Sequence, residues 1–347
     1  VAYTTFEIAS NTFSADVTLS DGADLITATA GTSNFRAGVN AGNSIVSGGN
    51  YNVTVGDEAG TAITTGDQNV AVGYDALGSN TTASNNTAVG YNALLANTEG
   101  FSNTAFGSRA GDAITTGDYN TVVGNLALSA ETTGAASVAI GHGALNAQNS
   151  TNSADMYNTA VGTAAGAAVT TGIRNTLIGG LAGDAITDAD YNVAIGYGSL
   201  GANTVGSGSV AIGNDSLGNQ NPSSAGTMYN VAVGNNAGNG ITTGVNNTLI
   251  GALAGDALTD ADRNVAIGKT ALSSDTRGSR STAVGYHALE NQNFTSATDT
   301  NNTAVGYVAG NAITTGTANT FIGSLAGDGT DDGSNNTAVG FFVLSAN

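Results

Sequence analysis

The chain has 347 residues, with 51 Gly, 1 Pro and neither Cys nor Trp, and its 7 Lys and Arg against 26 Asp and Glu give a formal net charge of −19. This charge excludes nucleic acid and anionic membrane surfaces as expected partners, because both are repelled. The absence of Cys excludes disulfides and thiolate metal sites. No run of about 18 apolar residues is present to span a bilayer. Only 10% of residues are charged while 40% are apolar, and their strict register argues against disorder.

Residues 1–33 do not follow the repeat that fills the rest of the chain. Alternating residues over 13–20, a turn at Asp21-Gly22 and a second alternating run over 25–29 predict a β-hairpin. We expect residues 1–33 to form a β segment that caps the repeat region or joins it to an upstream part.

From residue 34 to residue 347 the chain repeats the motif Asn-Thr/Val-x-Val/Ile-Gly. A degenerate copy over residues 34–48 comes first, and regular copies follow in 72-residue blocks made of three 17-residue steps and one 21-residue step. This period predicts an all-β fold, a parallel β-solenoid with one copy per coil. The glycines that close the regular motifs, called corner glycines below, are Gly56, Gly73, Gly90, Gly107, Gly124, Gly141, Gly162, Gly179, Gly196, Gly213, Gly234, Gly251, Gly268, Gly285, Gly306, Gly323 and Gly340.

The columns before the corner glycine predict a strand. The residues three before and one before it are Val, Thr, Ile or, once, Phe106, so both columns favour β structure and share one face. The residue between them is mostly Ala, enlarged to Leu177, Leu249 and Phe321 at 72-residue intervals, as expected in a narrow interior. An Ala or Ser three residues after the glycine, followed by Leu or Gly, predicts a second short strand. The glycine itself predicts a corner with positive φ or close backbone approach.

A column of asparagines stands four residues before the corner glycine. It contains Asn in 14 of the 17 regular copies, with Ser137, Ser209 and Ser281 as the exceptions, each just before a 21-residue step. At a strand spacing of about 4.8 Å, stacked asparagines predict a ladder of amide hydrogen bonds along one corner. We expect this ladder to be altered at the three serines.

The copies resemble the head repeats of YadA-like trimeric autotransporter adhesins and the similar repeats of bacteriophage tail fibres. The resemblance covers residues 34–347 and is carried by segments such as Asn-Thr-Ala-Val-Gly-Tyr-Asn-Ala-Leu at 86–94 and Ser-Val-Ala-Ile-Gly at 209–213. It implies a left-handed β-roll, three chains packed side by side, and attachment to a surface. The adhesin repeat is usually shorter, near 14 residues, and neither a membrane anchor nor a coiled-coil stalk is present in this sequence. The longer coil with Tyr-x-Ala-Leu is more similar to phage fibres.

Tyrosines and inserts provide the candidate receptor-binding residues. Apart from Tyr3, every Tyr stands just after a corner glycine or just before the Asn column, where its ring suits stacking on a sugar or packing between coils or chains. The 21-residue steps carry polar inserts at 146–157, 218–229 and 290–301, and loops on a rigid scaffold commonly carry function. Simple decoration is the alternative. The candidates are Asn149, Tyr157, Tyr197, Asn221, Tyr229, Tyr286 and Asn293.

Two acidic clusters are candidate ligands for Ca²⁺, the one cofactor considered, because this ion prefers oxygen ligands. Solvated turns are the alternative. The clusters are Asp184, Asp188 and Asp190 and, at the same places of the following 72-residue block, Asp256, Asp260 and Asp262. We expect no catalytic residues. His142 and His287 stand at corners, with no nucleophile or carboxylate at a convincing spacing, and are interpreted as exposed turn residues.

These features predict a non-enzymatic, extracellular attachment protein, a tail-fibre or adhesin segment. We expect a homotrimer that binds a cell-surface glycan or protein receptor and joins a fibre or virion through its N-terminus. A self-assembling filament subunit is the alternative. Thr-Thr pairs such as Thr115-Thr116 are too sparse for ice binding, and a thin coil offers no carboxylate cleft for a depolymerase. No signal-peptide pattern begins the sequence, so a secretion signal would lie outside it.

Overall fold

A computed structural model describes residues 30–150, 152–329 and 331–345 and confirms the parallel β-solenoid. The described residues contain no helix, and hence none that is long and apolar enough to cross a membrane. The hairpin predicted over residues 13–29 lies outside the described part of the chain. Thr32 already belongs to the stack, because its carbonyl oxygen accepts the N–H of Tyr51 at 2.9 Å. The coils therefore begin slightly before the predicted boundary at residue 34.

One three-residue strand from each coil contributes to a single 18-stranded parallel sheet. The pairing joins the same column of successive coils, as when Val193 pairs with Val210 and Ala194 with Ala211. At about 4.8 Å per coil, the stack is roughly 80 Å long. The strands are β1 Phe35–Ala37, β2 Val53–Val55, β3 Val70–Val72, β4 Thr87–Val89, β5 Thr104–Phe106, β6 Thr121–Val123, β7 Val138–Ile140, β8 Thr159–Val161, β9 Thr176–Ile178, β10 Val193–Ile195, β12 Val210–Ile212, β14 Val231–Val233, β15 Thr248–Ile250, β16 Val265–Ile267, β18 Thr282–Val284, β20 Thr303–Val305, β21 Thr320–Ile322 and β22 Thr337–Val339.

Four two-residue strands tie two of the inserts to the preceding coils. Strand β11, Gly206–Ser207, pairs in parallel with β13, Gly226–Thr227, and β17, Gly278–Ser279, pairs with β19, Thr298–Asp299. In the first insert a single bridge between Ala135 and Asp155 takes the same place. Each insert thus leaves the rod at an equivalent position of its block.

The middle residue of each long strand points into the coil, as the sequence predicted. Ala71, Ala194 and Ala266 are fully buried, whereas the residues on either side of them are partly exposed. The interior is narrow, because the backbone closes around it within a single 17-residue coil. Alanine is the side chain that this width accommodates in most coils.

The interior is filled by one of two side-chain pairs. In the coils with corner glycines Gly56 to Gly306, a Leu at the fourth residue after the corner glycine is accompanied by a polar seventh residue, and a Gly at the fourth is accompanied by Ile, Val or Leu at the seventh. The Leu coils hold Leu77 with Asn80, Leu94 with Asn97, Leu128 with Glu131, Leu145 with Gln148, Leu200 with Asn203, Leu217 with Gln220, Leu272 with Asp275, and Leu289 with Gln292. The Gly coils hold Gly60 with Ile63, Gly111 with Ile114, Gly166 with Val169, Gly183 with Ile186, Gly238 with Ile241, Gly255 with Leu258, and Gly310 with Ile313.

These two positions share one space in the interior. A Cβ atom added to Gly111 would lie 2.9 Å from Cδ1 of Ile114, so the isoleucine occupies the place of the missing leucine. Where two Gly coils are consecutive, the strand's middle residue is enlarged. Leu177 lies between Gly166 and Gly183, since added Cβ atoms there would lie 2.6 and 2.8 Å from its two methyl carbons. The 72-residue spacing of Leu177, Leu249 and Phe321 therefore follows from packing.

The predicted second strand is wrong. The residues that follow each corner glycine form a turn, with hydrogen bonds such as Gly78 N–H to Asp75 O at 3.2 Å. The second and fourth residues of the turn have left-handed backbone conformations, as in Asp75 at φ 55° and Leu77 at φ 51°. Two left-handed residues so close together bend the chain and prevent an extended strand.

The corner glycines from Gly56 to Gly323 meet both conditions that the sequence predicted for them. Gly56 has φ 125°, and a Cβ atom on it would lie 2.7 Å from the carbonyl oxygen of Gly73 in the next coil. A side chain at this position would therefore be strained by its own backbone and would also collide with the coil above.

The asparagine column forms a ladder, but its hydrogen bonds run mainly from side chain to backbone. Oδ1 of Asn192 accepts the N–H of Ser209 at 2.9 Å, and its Nδ2 donates to the carbonyl oxygen of Gly206 at 3.0 Å. Direct contacts between side-chain amides occur at a few positions, such as Asn175 with Asn158 at 3.3 Å. A buried asparagine such as Asn192 thus satisfies two backbone groups of the next coil.

Candidate functional site

The first insert is anchored by a buried polar cluster at the place where the ladder changes. Gln148 donates through Nε2 to Oγ of Ser137 at 3.0 Å and to Glu131 at 2.9 Å, and its Oε1 accepts from Asn158 Nδ2 at 2.8 Å. The Glu131 carboxylate is fully buried and also accepts the backbone N–H of Ser150 at 3.0 Å. Gln148 therefore supplies the amide that Ser137 lacks.

The other two inserts repeat this cluster with one difference. In the third, Gln292 donates to the buried Asp275 at 2.5 Å, and Asp275 accepts the N–H of Phe294 at 3.0 Å. In the second, Asn203 replaces the acid, and Nε2 of Gln220 is buried with no hydrogen-bond partner. The altered ladder at the serines was predicted from the sequence, but the role of the glutamines was missed, although Gln recurs at 72-residue intervals.

The candidate asparagines Asn149, Asn221 and Asn293 lie on the exposed side of the inserts. Their Oδ1 atoms accept hydrogen bonds from Thr132 at 3.0 Å, Thr204 at 2.8 Å and Thr276 at 3.5 Å. They thus extend a column of threonines along the rod.

The tyrosines lie along the two edges of the outward face of the sheet. Tyr157 and Tyr229 border one edge, where they are 51% and 59% exposed. Tyr157 donates to Asp155 at 2.9 Å, which raises the pKa of the phenol, and the guanidinium of Arg174 lies 5.9 Å from its ring. Tyr157 is therefore held in place by neighbours, whereas Tyr229 covers the backbone of Gly208.

Tyr197 and Tyr286 border the other edge, in the column just after the corner glycine. Tyr286 stacks on Tyr307 with ring centroids 5.5 Å apart, as Tyr74 does on Tyr91 at 5.6 Å. The neighbouring coils place Gly180 and Asn214 beside Tyr197. Its ring is 58% exposed and borders a depression of about 420 Å³. The structure therefore divides the candidate receptor residues among three columns instead of joining them in one patch.

Comparison with protein-family models, curated proteins and solved structures found no match to this chain.

The acidic residues proposed as calcium ligands do not converge. Among the described residues, no three His, Cys, Asp or Glu side chains are grouped so as to hold a metal ion. Asp190 and Asp262 instead accept backbone N–H groups of the preceding coil, from Ile173 at 2.8 Å and Val245 at 2.9 Å. Asp260 faces Arg277 at 3.4 Å. These carboxylates hold coils together.

Asp184 and its counterpart Asp256 are partly buried. Desolvation raises the pKa of both carboxyl groups, and Oδ1 of Asp256 is buried without a hydrogen-bond partner. Asp188 is exposed and accepts the hydroxyl of Thr187 at 3.1 Å. The three acids of each cluster therefore have separate surroundings.

The interpretation of the histidines is wrong for one of them. His142 is exposed, but His287 is partly buried and its Nδ1 lies 2.5 Å from Glu290 and 2.9 Å from the hydroxyl of Thr270. Asn311 also donates to Glu290, at 2.9 Å. The three-residue spacing of His287 and Glu290, which suits a turn, is the signal in the sequence that could have indicated this pair.

The outward columns of the sheet form an apolar stripe along the rod. Residues one before the corner glycine are partly exposed, with 41% for Ile322, 57% for Phe106 and 64% for Val339 in the last coil. Val and Thr three before the glycine continue the stripe on its other side. One chain thus leaves a long, flat apolar surface uncovered, and contiguous surfaces of this kind commonly mark interaction sites.

Proposed function

We propose that this chain is a non-enzymatic attachment protein, an extracellular fibre or adhesin segment that presents receptor-binding groups along a rigid rod. The observation that carries the proposal is the placement of the three inserts. Each leaves the rod at an equivalent position, four coils from the next, and each is anchored by a buried Gln cluster. Four coils correspond to roughly 19 Å. Equally spaced loops on a stiff support suit repeated weak contacts with a surface.

We also propose that three copies of the chain associate through the apolar stripe. The stripe is supported by the sheet along its whole length, and burying it would remove many Val, Ile and Thr side chains from water. A cell-surface glycan or protein is the proposed receptor, and the N-terminal part is proposed to join an upstream fibre or virion.

The attachment function is tested by shortening the inserts without disturbing the ladder. In the first insert, residues 149–157 are replaced by Thr-Thr-Gly-Asp-Tyr, the sequence of residues 115–119, which retains Gln148 and Asn158. Matched replacements are made at 221–229 and 293–301. We expect normal circular dichroism and a loss of adhesion to host cells on the order of 10² or more, because linked contacts are removed together. Unchanged adhesion by a folded triple variant would contradict recognition through the inserts.

The trimer is tested by light scattering of the purified protein. We expect about three times the 33.8 kDa mass of the chain. Replacing Ile178 and Ile250 in the stripe by Thr, the residue found in the neighbouring outward column, is expected to shift the protein toward monomers. A mass that grows without limit as concentration rises would instead favour the alternative of a self-assembling filament subunit.

A further inference from the structure

A surface groove lies in the second 72-residue block, whose corner glycines are Gly179, Gly196, Gly213 and Gly234. It is the depression of about 420 Å³ beside Tyr197, and it crosses the coils whose corner glycines are Gly179 to Gly234. Three coil-to-coil steps correspond to roughly 14 Å, the length of a short oligosaccharide. Its lining includes the carboxylates of Asp184 and Asp215 and the amides of Asn219 and Asn239.

The groove exists because glycines replace side chains in adjacent coils. Gly198 and Gly201 lie on one coil and Gly218 lies on the next. The carboxylate of Asp215 lies over Gly198, and a Cβ atom on Gly218 would stand 2.8 Å from Nδ2 of Asn239. The polar side chains of neighbouring coils therefore lie over bare backbone and form the floor of a shallow, open depression.

The floor is held in place by hydrogen bonds. Asn239 donates from Nδ2 to the backbone carbonyl of Asp215 at 2.9 Å, and Asn219 donates to Oδ1 of Asn239 at 3.2 Å. Asn214 donates to the carboxylate of Asp215. Desolvation raises the pKa of Asp184. These groups are ordered before any ligand arrives, which lowers the entropic cost of binding.

Equivalent positions in the flanking blocks are occupied. In the first block, Arg109 pairs with Asp112 at 2.7 Å, and Leu126 and Ser129 stand where Gly198 and Gly201 stand in the second. In the third block, Lys269 replaces Tyr197.

The third block also carries side chains that fill this place. Glu290 stands at the position of Gly218, and His287, which replaces Asp215, contacts Glu290. The fold alone does not require the three blocks to differ at these positions. Among the three blocks, the second alone combines glycines at these positions with an exposed Tyr.

The groups that line the groove are those that recognise a neutral sugar. The exposed face of Tyr197 offers an apolar platform for a pyranose ring. Carboxylates accept paired hydrogen bonds from vicinal hydroxyls, and such charge-assisted bonds are stronger than neutral ones. The amides of Asn219 and Asn239 add donors and acceptors. An acidic sugar would face two carboxylates on a chain with a net charge of −19 and would be repelled.

We propose that this groove binds a neutral oligosaccharide of the receptor, such as linked hexose or N-acetylhexosamine units, and discriminates against uronic and sialic acids. The inference rests on the proposed attachment function and adds to it a ligand class and a position. It assigns recognition to Tyr197, Asp184 and Asp215, which lie beside the second insert, and not to the inserts alone.

The experiment measures binding of the full chain to two trisaccharides, N,N′,N″-triacetylchitotriose and trigalacturonic acid, by calorimetry and by saturation-transfer NMR. We expect the neutral trisaccharide to bind. The acidic one should bind at least about tenfold more weakly, because the carboxylates of the groove repel it. A tenfold difference corresponds to about 1.4 kcal/mol of binding free energy. Tyr197→Ala is expected to weaken neutral-sugar binding roughly tenfold, in line with the energy of one aromatic contact. Tyr307→Ala, in the same column but outside the groove, is the control and is expected to bind normally.

A second variant set separates recognition from folding. The triple change Tyr197→Lys, Gly198→Thr and Gly201→Ser introduces the residues found at 269, 270 and 273, which the scaffold already accepts. It is expected to fold and to lose binding. The double change Asp184→Asn and Asp215→Asn is expected to weaken the neutral sugar and to reduce the discrimination against the acidic one, an effect that a purely structural role would not produce.

Equal binding of both sugars by the parent chain, or full binding by the folded triple variant, would overturn the proposal, as would binding of neither sugar. These outcomes are separable from the attachment function. A chain that adheres to cells through its inserts but binds neither trisaccharide would retain the attachment proposal and remove this one.

Discussion

A Cβ atom added to Gly196 would overlap the carbonyl oxygen of Gly213, the corner glycine of the next coil. Gly340, the last corner glycine, has nearly the same φ, 133° against 131°, but a Cβ atom there would meet only Cγ2 of Val343 at 3.2 Å. The two positions therefore separate backbone strain from the close approach of coils.

We expect Gly340→Ala to cost about 1–3 kcal/mol of unfolding free energy, from its unfavourable φ. Gly196→Ala should cost roughly 2 kcal/mol more, because the added methyl group also forces two coils apart. Denaturant unfolding followed by circular dichroism measures both. Equal costs would show that the conformation alone requires glycine.

The pairing of the fourth and seventh residues after the corner glycine predicts strong coupling between Gly111 and Ile114. Gly111→Leu alone would collide with the Ile114 side chain, and Ile114→Asn alone would leave an unfilled space. Each change is expected to cost about 2–5 kcal/mol.

The double variant recreates a Leu coil such as Leu94 with Asn97. We expect it to unfold with a coupling free energy of about 2–3 kcal/mol in its favour, measured by a double-mutant cycle. Additive costs would show that the two side chains do not share the interior space.

Much of the fold could be predicted from columns of the sequence, since each column has a fixed place in a regular coil. The strand, the inward Ala, the corner glycine and the Asn ladder follow from residue type and spacing. The turn after the corner could not be predicted, because Leu77 adopts a left-handed conformation that leucine rarely has. Burial of the Leu77 side chain in the coil interior offsets this strain, and that interior exists only once the coil is closed.

The candidate site was less predictable than the fold. Tyr197 was identified from its column, but its groove depends on what Gly198, Gly201 and Gly218 lack. Those residues come together only when successive coils are stacked. Similarly, Gln148 was recognised as part of a polar insert, whereas its buried contact with Ser137 requires the insert to fold back into the rod.

Asp256 provides a prediction of pH dependence. Desolvation raises its pKa in the folded protein, so the folded state binds this proton more readily than the unfolded state does. This contribution favours folding as pH falls through the folded pKa, and it is lost as pH rises above that value.

Asp256→Asn should therefore stabilise the protein near pH 7, by at most about 1 kcal/mol because water still screens the site. The advantage should disappear in acid, below the ordinary pKa of 3.8. Melting temperatures of the two proteins across this range provide the measurement, with exposed Asp188→Asn as the control. A stabilisation that persists unchanged in acid would contradict the role of the charge.

The buried cluster of the second insert explains the single proline of the chain. Glu131 and Asp275 each accept a backbone N–H from the insert, given by Ser150 at 3.0 Å and Phe294 at 3.0 Å. The equivalent residue of the second insert is Pro222, which has no N–H. A neutral Asn203 stands there in place of the acid, because a buried carboxylate would lack one of its donors.

Asn203→Asp alone is expected to destabilise the protein by about 3 kcal/mol, since it buries a charge with too few hydrogen bonds and removes the bond from Asn203 to Gly206. Adding Pro222→Ser restores the missing donor and should recover roughly 1.5–3 kcal/mol, the range for a hydrogen bond to a charged group. Pro222→Ser alone, the matched control, should cost only about 0.4–1 kcal/mol through the unfolded state. A double-mutant cycle at neutral pH measures the coupling, and its absence would mean that the acid and the insert N–H are chosen independently of each other.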